Sequence, residues 1–135
     1  MMENKTVLFV CQDNAYQSQI AEAFARIHGD HHLQVYSAGS RPSDRVHPSA
    51  VQSMIDKGYD LNGHRSKPIT ELPDLRFDFL VSMGCGESCS QIQAQRREDW
   101  SLPHPSEFPG NGFNCLRDEI ELRVFGLLNR LIEQV

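Results

Sequence analysis

Short apolar runs along the chain predict strands that are buried in a sheet. Residues 5–11 form a continuous apolar run, the pattern of a strand that is covered on both faces, and residues 77–83 predict a further strand. Residues 33–38 predict another strand between these two, which closes at Gly39. Residues 98–100 predict a short fourth strand.

Between the apolar runs, apolar residues recur at the spacing of a helix. Ile20, Phe24 and Ile27 recur at spacings of four and three, which predicts a helix from Ser18 to an end at Gly29. A second helix is predicted over 48–57 and a long amphipathic one over 113–131, after a loop at 102–112 that is rich in proline and glycine.

Strands that alternate with helices indicate right-handed βαβ units and a parallel sheet. We therefore expect an α/β fold: a three-layer sandwich in which a four-stranded parallel sheet is flanked by helices on both faces. A single domain is expected over residues 1–135. Sheets of this kind place ligands at the carboxyl ends of their strands, which directs attention to the residues that follow each strand.

Composition narrows the class of protein. Hydrophobic residues make up 39% and charged residues 23% of the 135 residues, which is typical of a folded globular chain and not of a disordered one. The formal net charge of −5 argues against nucleic-acid binding. The longest apolar run, 7–11, is too short to cross a bilayer, and no secretion pattern is present at the N-terminus, so a cytoplasmic location is expected.

Four cysteines are the candidates for chemistry, at positions 11, 85, 89 and 115. In a cytoplasmic chain they indicate reactive, metal-binding or buried thiols rather than a disulfide framework. Cys11 ends the first strand, and the loop behind it opens a helix. The N-terminus of a helix favours an anion and lowers the pKa of a nearby thiol, so Cys11 is a candidate nucleophile. The alternative is a buried cysteine at the end of a strand.

Several segments carry a resemblance to a known family. The stretch 7–22 (VLFVCQDNAYQSQIAE) is followed in order by SAG at 37–39, VHP at 46–48, MGCG at 83–86, DW at 99–100 and RDEI at 117–120. Together these resemble the low-molecular-weight protein tyrosine phosphatases, and in particular the arsenate reductases built on the same fold. The resemblance extends over nearly the whole chain.

This resemblance implies a loop that wraps a tetrahedral oxyanion in backbone N–H groups, with Cys11 as the nucleophile. Asn14 is then expected to hold an unusual backbone conformation, and Ser18 to hydrogen-bond the thiolate. The expected anion-binding residues form one continuous segment: Gln12, Asp13, Asn14, Ala15, Tyr16, Gln17 and Ser18.

Two positions depart from the pattern of the family. Gln17 stands where the family has an arginine that clamps the oxyanion, and His104 stands where an Asp-Pro aspartate protonates the leaving oxygen. Histidine can donate a proton near neutral pH, so His104 is a candidate general acid. Four arginines are candidates to replace the missing cation: Arg41, Arg45, Arg96 and Arg97. His47, before Pro48, is predicted to be structural.

The cysteines after the third strand resemble the segment in which arsenate reductases carry their redox pair. Cys85 or Cys89 is therefore the candidate thiol that resolves the arsenic adduct and forms a disulfide. An external thiol, thioredoxin, a glutaredoxin-like protein or a small thiol, is the expected reductant, and no bound cofactor or metal is expected. The alternatives are inert packing thiols or a zinc site with one or two histidines. Cys115 is predicted to be structural.

The leading hypothesis is a thiol-dependent arsenate reductase. A second hypothesis is a catalytically weakened member of the fold that binds an oxyanion or a phosphorylated partner, which the residues at 17 and 104 motivate. A third is a low-molecular-weight protein tyrosine phosphatase, which the segment around Cys85 disfavours.

Overall fold

A computed structural model describes residues 5–29, 33–43, 45–84, 87–102, 107 and 110–133. Four strands form one parallel sheet in the order β2-β1-β3-β4. They are β1 (Lys5–Cys11), β2 (Leu33–Gly39), β3 (Phe77–Met83) and β4 (Ala94–Asp99). The predicted class and the four-stranded parallel sheet are confirmed.

Three α-helices accompany the sheet: α1 (Gln17–His28), α2 (Pro48–Ile55) and α3 (Gly112–Glu133). The second is shorter than predicted, because a turn after Asp56 leads to Gly58, whose φ of 81° takes the chain out of the helix. Short 3₁₀ turns lie at Leu61–Gly63, Ile69–Glu71 and Glu87–Gln91. Within the described ranges, no helix has the length and apolar character needed to span a membrane.

Alternate residues of β1 divide the core into two clusters. Val7, Phe9 and Cys11 pack with residues of all three α-helices, including Phe24 and Leu116. The other face, with Leu8 and Val10, is covered mainly by the 3₁₀ turns and their flanking residues, such as Ile69, Leu72 and Cys89. Every residue of β1 from Val7 to Val10 is fully buried, as the apolar run predicted.

The strand register brings Cys11 to the centre of the carboxyl edge. Cys11 is paired with Gly39 on one side and with Met83 on the other. Gly39 allows the loop after β1 to approach closely: a Cβ there would lie 2.8 Å from the carbonyl oxygen of Gln12 and 2.9 Å from the amide nitrogen of Asn14. A side chain at position 39 would therefore displace the loop that follows Cys11.

Candidate active site

The Cys11 side chain is buried beneath the loop that joins β1 to α1, with 3% of the residue exposed. Its Sγ lies 2.9 Å from the Ser18 hydroxyl and accepts a hydrogen bond of 3.2 Å from the Asn14 amide. Burial raises the pKa of the Cys11 thiol, and the charge of Asp13 adds to the rise; the hydrogen bonds from Ser18 and Asn14 oppose it without cancelling it. The lowering expected from the helix N-terminus is therefore outweighed by the loss of water, and the net direction is a rise.

The loop has a left-handed residue at Asn14, whose φ is 50°. This is the unusual conformation that the family resemblance implied. The Asn14 side chain fixes it: Nδ2 donates to the Ser18 hydroxyl at 2.7 Å, and Oδ1 accepts from the amide of Lys67 at 2.9 Å. Asn14 is fully buried, so these bonds replace the water that the amide loses.

The carbonyl oxygens of the loop are held by neighbouring segments. Gln12 accepts from the Arg41 amide at 2.7 Å, and Asp13 accepts from the Ser43 amide at 3.0 Å and from the Ser66 hydroxyl at 2.7 Å. The Ala15 carbonyl accepts from the His47 amide at 2.8 Å. Three stretches distant from Cys11 in the sequence therefore fix the shape of the loop.

Gln19 and His64 form a buried support behind the loop, which the sequence analysis missed. Gln19 Nε2 donates to the Asn14 carbonyl at 3.0 Å and to the Arg65 carbonyl at 2.9 Å. Its Oε1 therefore accepts the proton of His64 Nδ1 at 3.0 Å, which leaves His64 Nε2 to accept the Tyr59 hydroxyl at 2.7 Å. Burial lowers the pKa of His64, which keeps this histidine neutral.

Glu22 places a buried carboxylate beside this support, with 5% of the residue exposed. It accepts a hydrogen bond from Arg26 Nε at 2.8 Å and another from the Ser37 hydroxyl. The Lys67 ammonium lies 3.9 Å away, and burial lowers the pKa of Lys67 despite the Glu22 charge. The polar residues Glu22 and Ser37 within otherwise buried segments are the sequence signal for this cluster.

A cavity of about 440 Å³ opens above the thiol. Its walls are Cys11, Gln12, Asp13, Tyr16, Gln17, His47, Met83, Gly84, Phe113 and Leu116. Asp13 is the acidic residue of this lining, and its Oδ1 lies 3.6 Å from Sγ, with the thiol as donor. Neither lysine nor arginine is among the described residues that line the cavity.

Comparison with known proteins identifies the family. The family model for low molecular weight phosphotyrosine protein phosphatase matches residues 6–135. The chain belongs to this family. A glutaredoxin arsenate reductase from Synechocystis sp. is 34% identical over 130 residues, which are 94% of this chain and 98% of the relative.

Two solved structures in the same family show the likeness in three dimensions. An arsenate reductase in the phosphate-binding state has a TM-score of 0.79 and 34% identity, over 93% of this chain and 98% of that one. A thioredoxin-dependent arsenate reductase from Corynebacterium glutamicum has a TM-score of 0.83 and 27% identity, over 98% of this chain and 64% of the other.

The four candidate arginines do not reach the position of the family's missing cation. None of them lines the cavity above Cys11. Arg41 is exposed and contributes its backbone amide, and Arg45 lines a separate cavity of about 300 Å³. Arg96 is exposed on β4, and Arg97 donates to the carbonyls of Cys89 and Ile92. Among the described residues, Gln17 therefore stands at the cavity without a substitute cation.

The remaining cysteines divide by position. Cys89 is buried and disulfide-bonded, and it packs with Leu8 and Val10 on the face of the sheet opposite to Cys11. Cys115 is a half-buried thiol in α3 that forms no disulfide. Cys85 and His104 lie outside the described residues. In the part of the chain that the structure describes, no group of three or more His, Cys, Asp or Glu is placed to hold a metal ion.

His47 both caps α2 and forms part of the cavity wall. Its Nδ1 accepts the Ser49 amide at 3.0 Å and so caps α2, which is the structural role predicted from the Pro48 that follows. The same ring lines the cavity and stacks on Phe113 with centroids 5.8 Å apart. Because Nδ1 accepts, the proton of the neutral ring is on Nε2.

Proposed function

We propose that this protein is a thiol-dependent arsenate reductase that acts through Cys11. The observation that carries the proposal is the thiol at the base of a cavity of about 440 Å³, in a loop that opens α1. The Ser18 hydroxyl at 2.9 Å and the Asn14 amide at 3.2 Å stabilise negative charge on Sγ. The similarity to arsenate reductases at 34% identity supports arsenate as the substrate.

The proposed reaction proceeds in two chemical stages. Cys11 condenses with arsenate, so that an S–As bond forms and water leaves. A second thiol then attacks the Cys11 sulfur; the S–As electron pair stays on arsenic, arsenite is released and a disulfide forms. The two thiols supply the two electrons that reduce arsenic. Cys85 or Cys89 is the proposed second thiol, in the form of the protein in which the disulfide at Cys89 has first been reduced by the external thiol; this disulfide supports a redox role for the segment.

An external thiol must then reduce the enzyme again. Thioredoxin and a glutaredoxin-like protein are the proposed partners, in keeping with the thioredoxin-dependent and glutaredoxin arsenate reductases that this chain resembles. Turnover with one of these two reductants and not with the other would identify the partner. A Cys89→Ser variant that retains turnover with a small thiol but loses it with thioredoxin assigns Cys89 to the relay.

The direct test is arsenite formation from arsenate by the purified protein with each reductant in turn. Cys11→Ser should abolish arsenite formation. Cys115→Ser is the matched control, because Cys115 is also a cysteine outside any disulfide but lies within α3 and outside the described cavity lining. Absence of Cys11-dependent arsenite with every reductant would overturn the proposal.

A second function has one observation in its favour. Gln17 replaces the family arginine, and the described lining of the cavity holds no lysine or arginine, which favours an oxyanion-binding protein with little turnover. Calorimetry with phosphate, together with an arsenite assay that finds no product, would support this function over reduction. Phosphatase activity, a role in arsenical resistance, a cytoplasmic location and His104 as the general acid stay predictions.

A further inference from the structure

The arrangement at Cys11 raises the question of where the proton of the thiol goes. The thiol is buried, the described lining of its cavity has no lysine or arginine, and burial raises the pKa of the thiol. The thiolate, not the thiol, is the nucleophile. A relative with an arginine at position 17 can hold a thiolate beside a fixed positive charge; this chain needs a base that removes the proton as the reaction begins.

Among the residues that the structure describes, three groups form hydrogen bonds with Sγ. The Asn14 amide is a donor only. The Ser18 hydroxyl, 2.9 Å from the sulfur, accepts Asn14 Nδ2–H at 2.7 Å, and an alcohol oxygen is too weakly basic to take up the thiol proton. The Asp13 carboxylate, 3.6 Å from Sγ with the thiol as donor, is the one of the three that can accept the proton.

We propose that Asp13 is the proton-transfer residue of this enzyme, first as base toward the Cys11 thiol and then as acid toward the leaving oxygen, the role that the family resemblance implied for His104. This inference rests on the proposed arsenate reduction. In the step, the S–H proton moves to Asp13 and the sulfur attacks arsenic. The S–As bond forms as an As–O bond breaks. The departing hydroxide takes the proton from the Asp13 carboxylic acid and leaves as water. Arsenic remains pentavalent in this step, and Asp13 returns to its carboxylate form.

The position of Asp13 is fixed at both ends, as this role requires. Its Oδ1 accepts the Ala15 amide at 3.2 Å, and its backbone carbonyl is held by Ser43 and Ser66. The side chain is exposed on the wall of the same cavity as Sγ, so the acid is available to a substrate oxygen there. A fixed carboxylate touching the sulfur on one side and open to the cavity on the other can serve both transfers.

Charge favours the same conclusion. A permanent carboxylate next to the thiol would repel an incoming oxyanion in a cavity whose described lining has no lysine or arginine. Transfer of the thiol proton neutralises Asp13 and places the negative charge on sulfur, where the new bond forms. The transfer therefore moves the negative charge from a carboxylate that forms no bond with the substrate to the sulfur that does, and the net charge of the site is unchanged.

The test compares two readouts in Asp13→Asn, which keeps the Oδ1 acceptor for the Ala15 amide. Arsenite formation should fall by about a hundredfold or more in kcat, the usual contribution of general acid–base catalysis. Alkylation of Cys11 by iodoacetamide near neutral pH should become faster, because the neighbouring negative charge is gone. A merely structural role would not move the two rates in opposite directions.

Asp60→Asn is the matched control, since Asp60 Oδ1 accepts the Asn62 amide at 2.9 Å in the same local turn geometry but outside the cavity lining. It should leave both rates unchanged. Asp13→Ser, which can still accept the Ala15 amide but cannot carry the proton, should reproduce the loss if Asp13→Asn folds poorly. If the wild type forms arsenite and the folded Asp13 variants form it equally fast or faster, the role of Asp13 is overturned and the proposed function is not affected. Absence of wild-type turnover would overturn the proposed function and this step with it.

Discussion

The Ser18 hydroxyl is the contact whose removal tests the electrostatics of Cys11 most directly. It is fully buried and bridges Asn14 Nδ2 at 2.7 Å and Cys11 Sγ at 2.9 Å. Ser18→Ala removes one hydrogen bond to the thiolate. A hydrogen bond to a charged group contributes about 1.5–3 kcal/mol, so the thiolate population near neutral pH should fall roughly 10- to 150-fold.

The alkylation rate of Cys11 should change less than its thiolate population does. A less acidic thiol gives a more nucleophilic thiolate, and this dependence recovers roughly half of the loss on a logarithmic scale. Iodoacetamide should therefore alkylate Cys11 roughly 4- to 20-fold more slowly in Ser18→Ala than in the wild type. Peptide mass spectrometry follows Cys11 separately from Cys115, which also forms no disulfide.

Ser53→Ala is the control for this measurement. Ser53 is also buried, and its hydroxyl donates to Asn114 Oδ1 at 2.9 Å, away from the sulfur. Its loss should leave the alkylation rate of Cys11 unchanged. Thermal melts show whether both variants fold. Alkylation of folded Ser18→Ala at the wild-type rate would refute the conclusion that the hydroxyl stabilises the thiolate.

Three further predictions follow from the same contacts. Gln17→Arg should tighten phosphate binding roughly 10- to 100-fold by calorimetry, because it adds charged donors to the cavity lining; unchanged affinity would contradict the assignment of Gln17 to the anion site. Asn14→Ala should lower the free energy of unfolding in urea by about 2–4 kcal/mol, since it loses buried hydrogen bonds and retains a left-handed backbone. His64 binds its proton less tightly when folded, so stability should fall as pH drops below about 6.5, where the unfolded chain takes up more protons. In thermal melts across this pH range, the stability of His64→Gln should change less with pH than that of the wild type. An equally steep change in the variant would contradict the role of His64.

The strands predicted most accurately are those in which consecutive residues are mostly apolar. The apolar runs of β1 and β3 gave the strand bounds Lys5–Cys11 and Phe77–Met83 directly, because both strands lie in the interior of the sheet. The edge strand β4 was placed four residues too late. Its Ala-Gln-Arg-Arg-Glu-Asp sequence is largely exposed and pairs on one side only, so it has no apolar run to reveal it.

The site was predicted in outline, and its electrostatics were not. Local sequence places Cys11, Asn14 and Ser18 in one loop, so their mutual contacts follow from the resemblance. The support from Gln19 and His64 depends on residues 45 positions apart, which no local pattern connects. The rise in the pKa of Cys11 depends on burial, which only the packed structure establishes.

The segment 64–67 supports the loop largely through its own main chain. The Lys67 amide donates to Asn14 Oδ1 at 2.9 Å, the Lys67 carbonyl accepts the Gly39 amide at 2.8 Å, and the Arg65 carbonyl accepts Gln19 Nε2 at 2.9 Å. Every residue type except proline offers both of these backbone groups. The segment is therefore tolerant of new side chains at Arg65, which is exposed, but intolerant of an insertion or deletion that shifts its register. Position 65 is a place where charge near the loop can be redesigned while the loop keeps its shape.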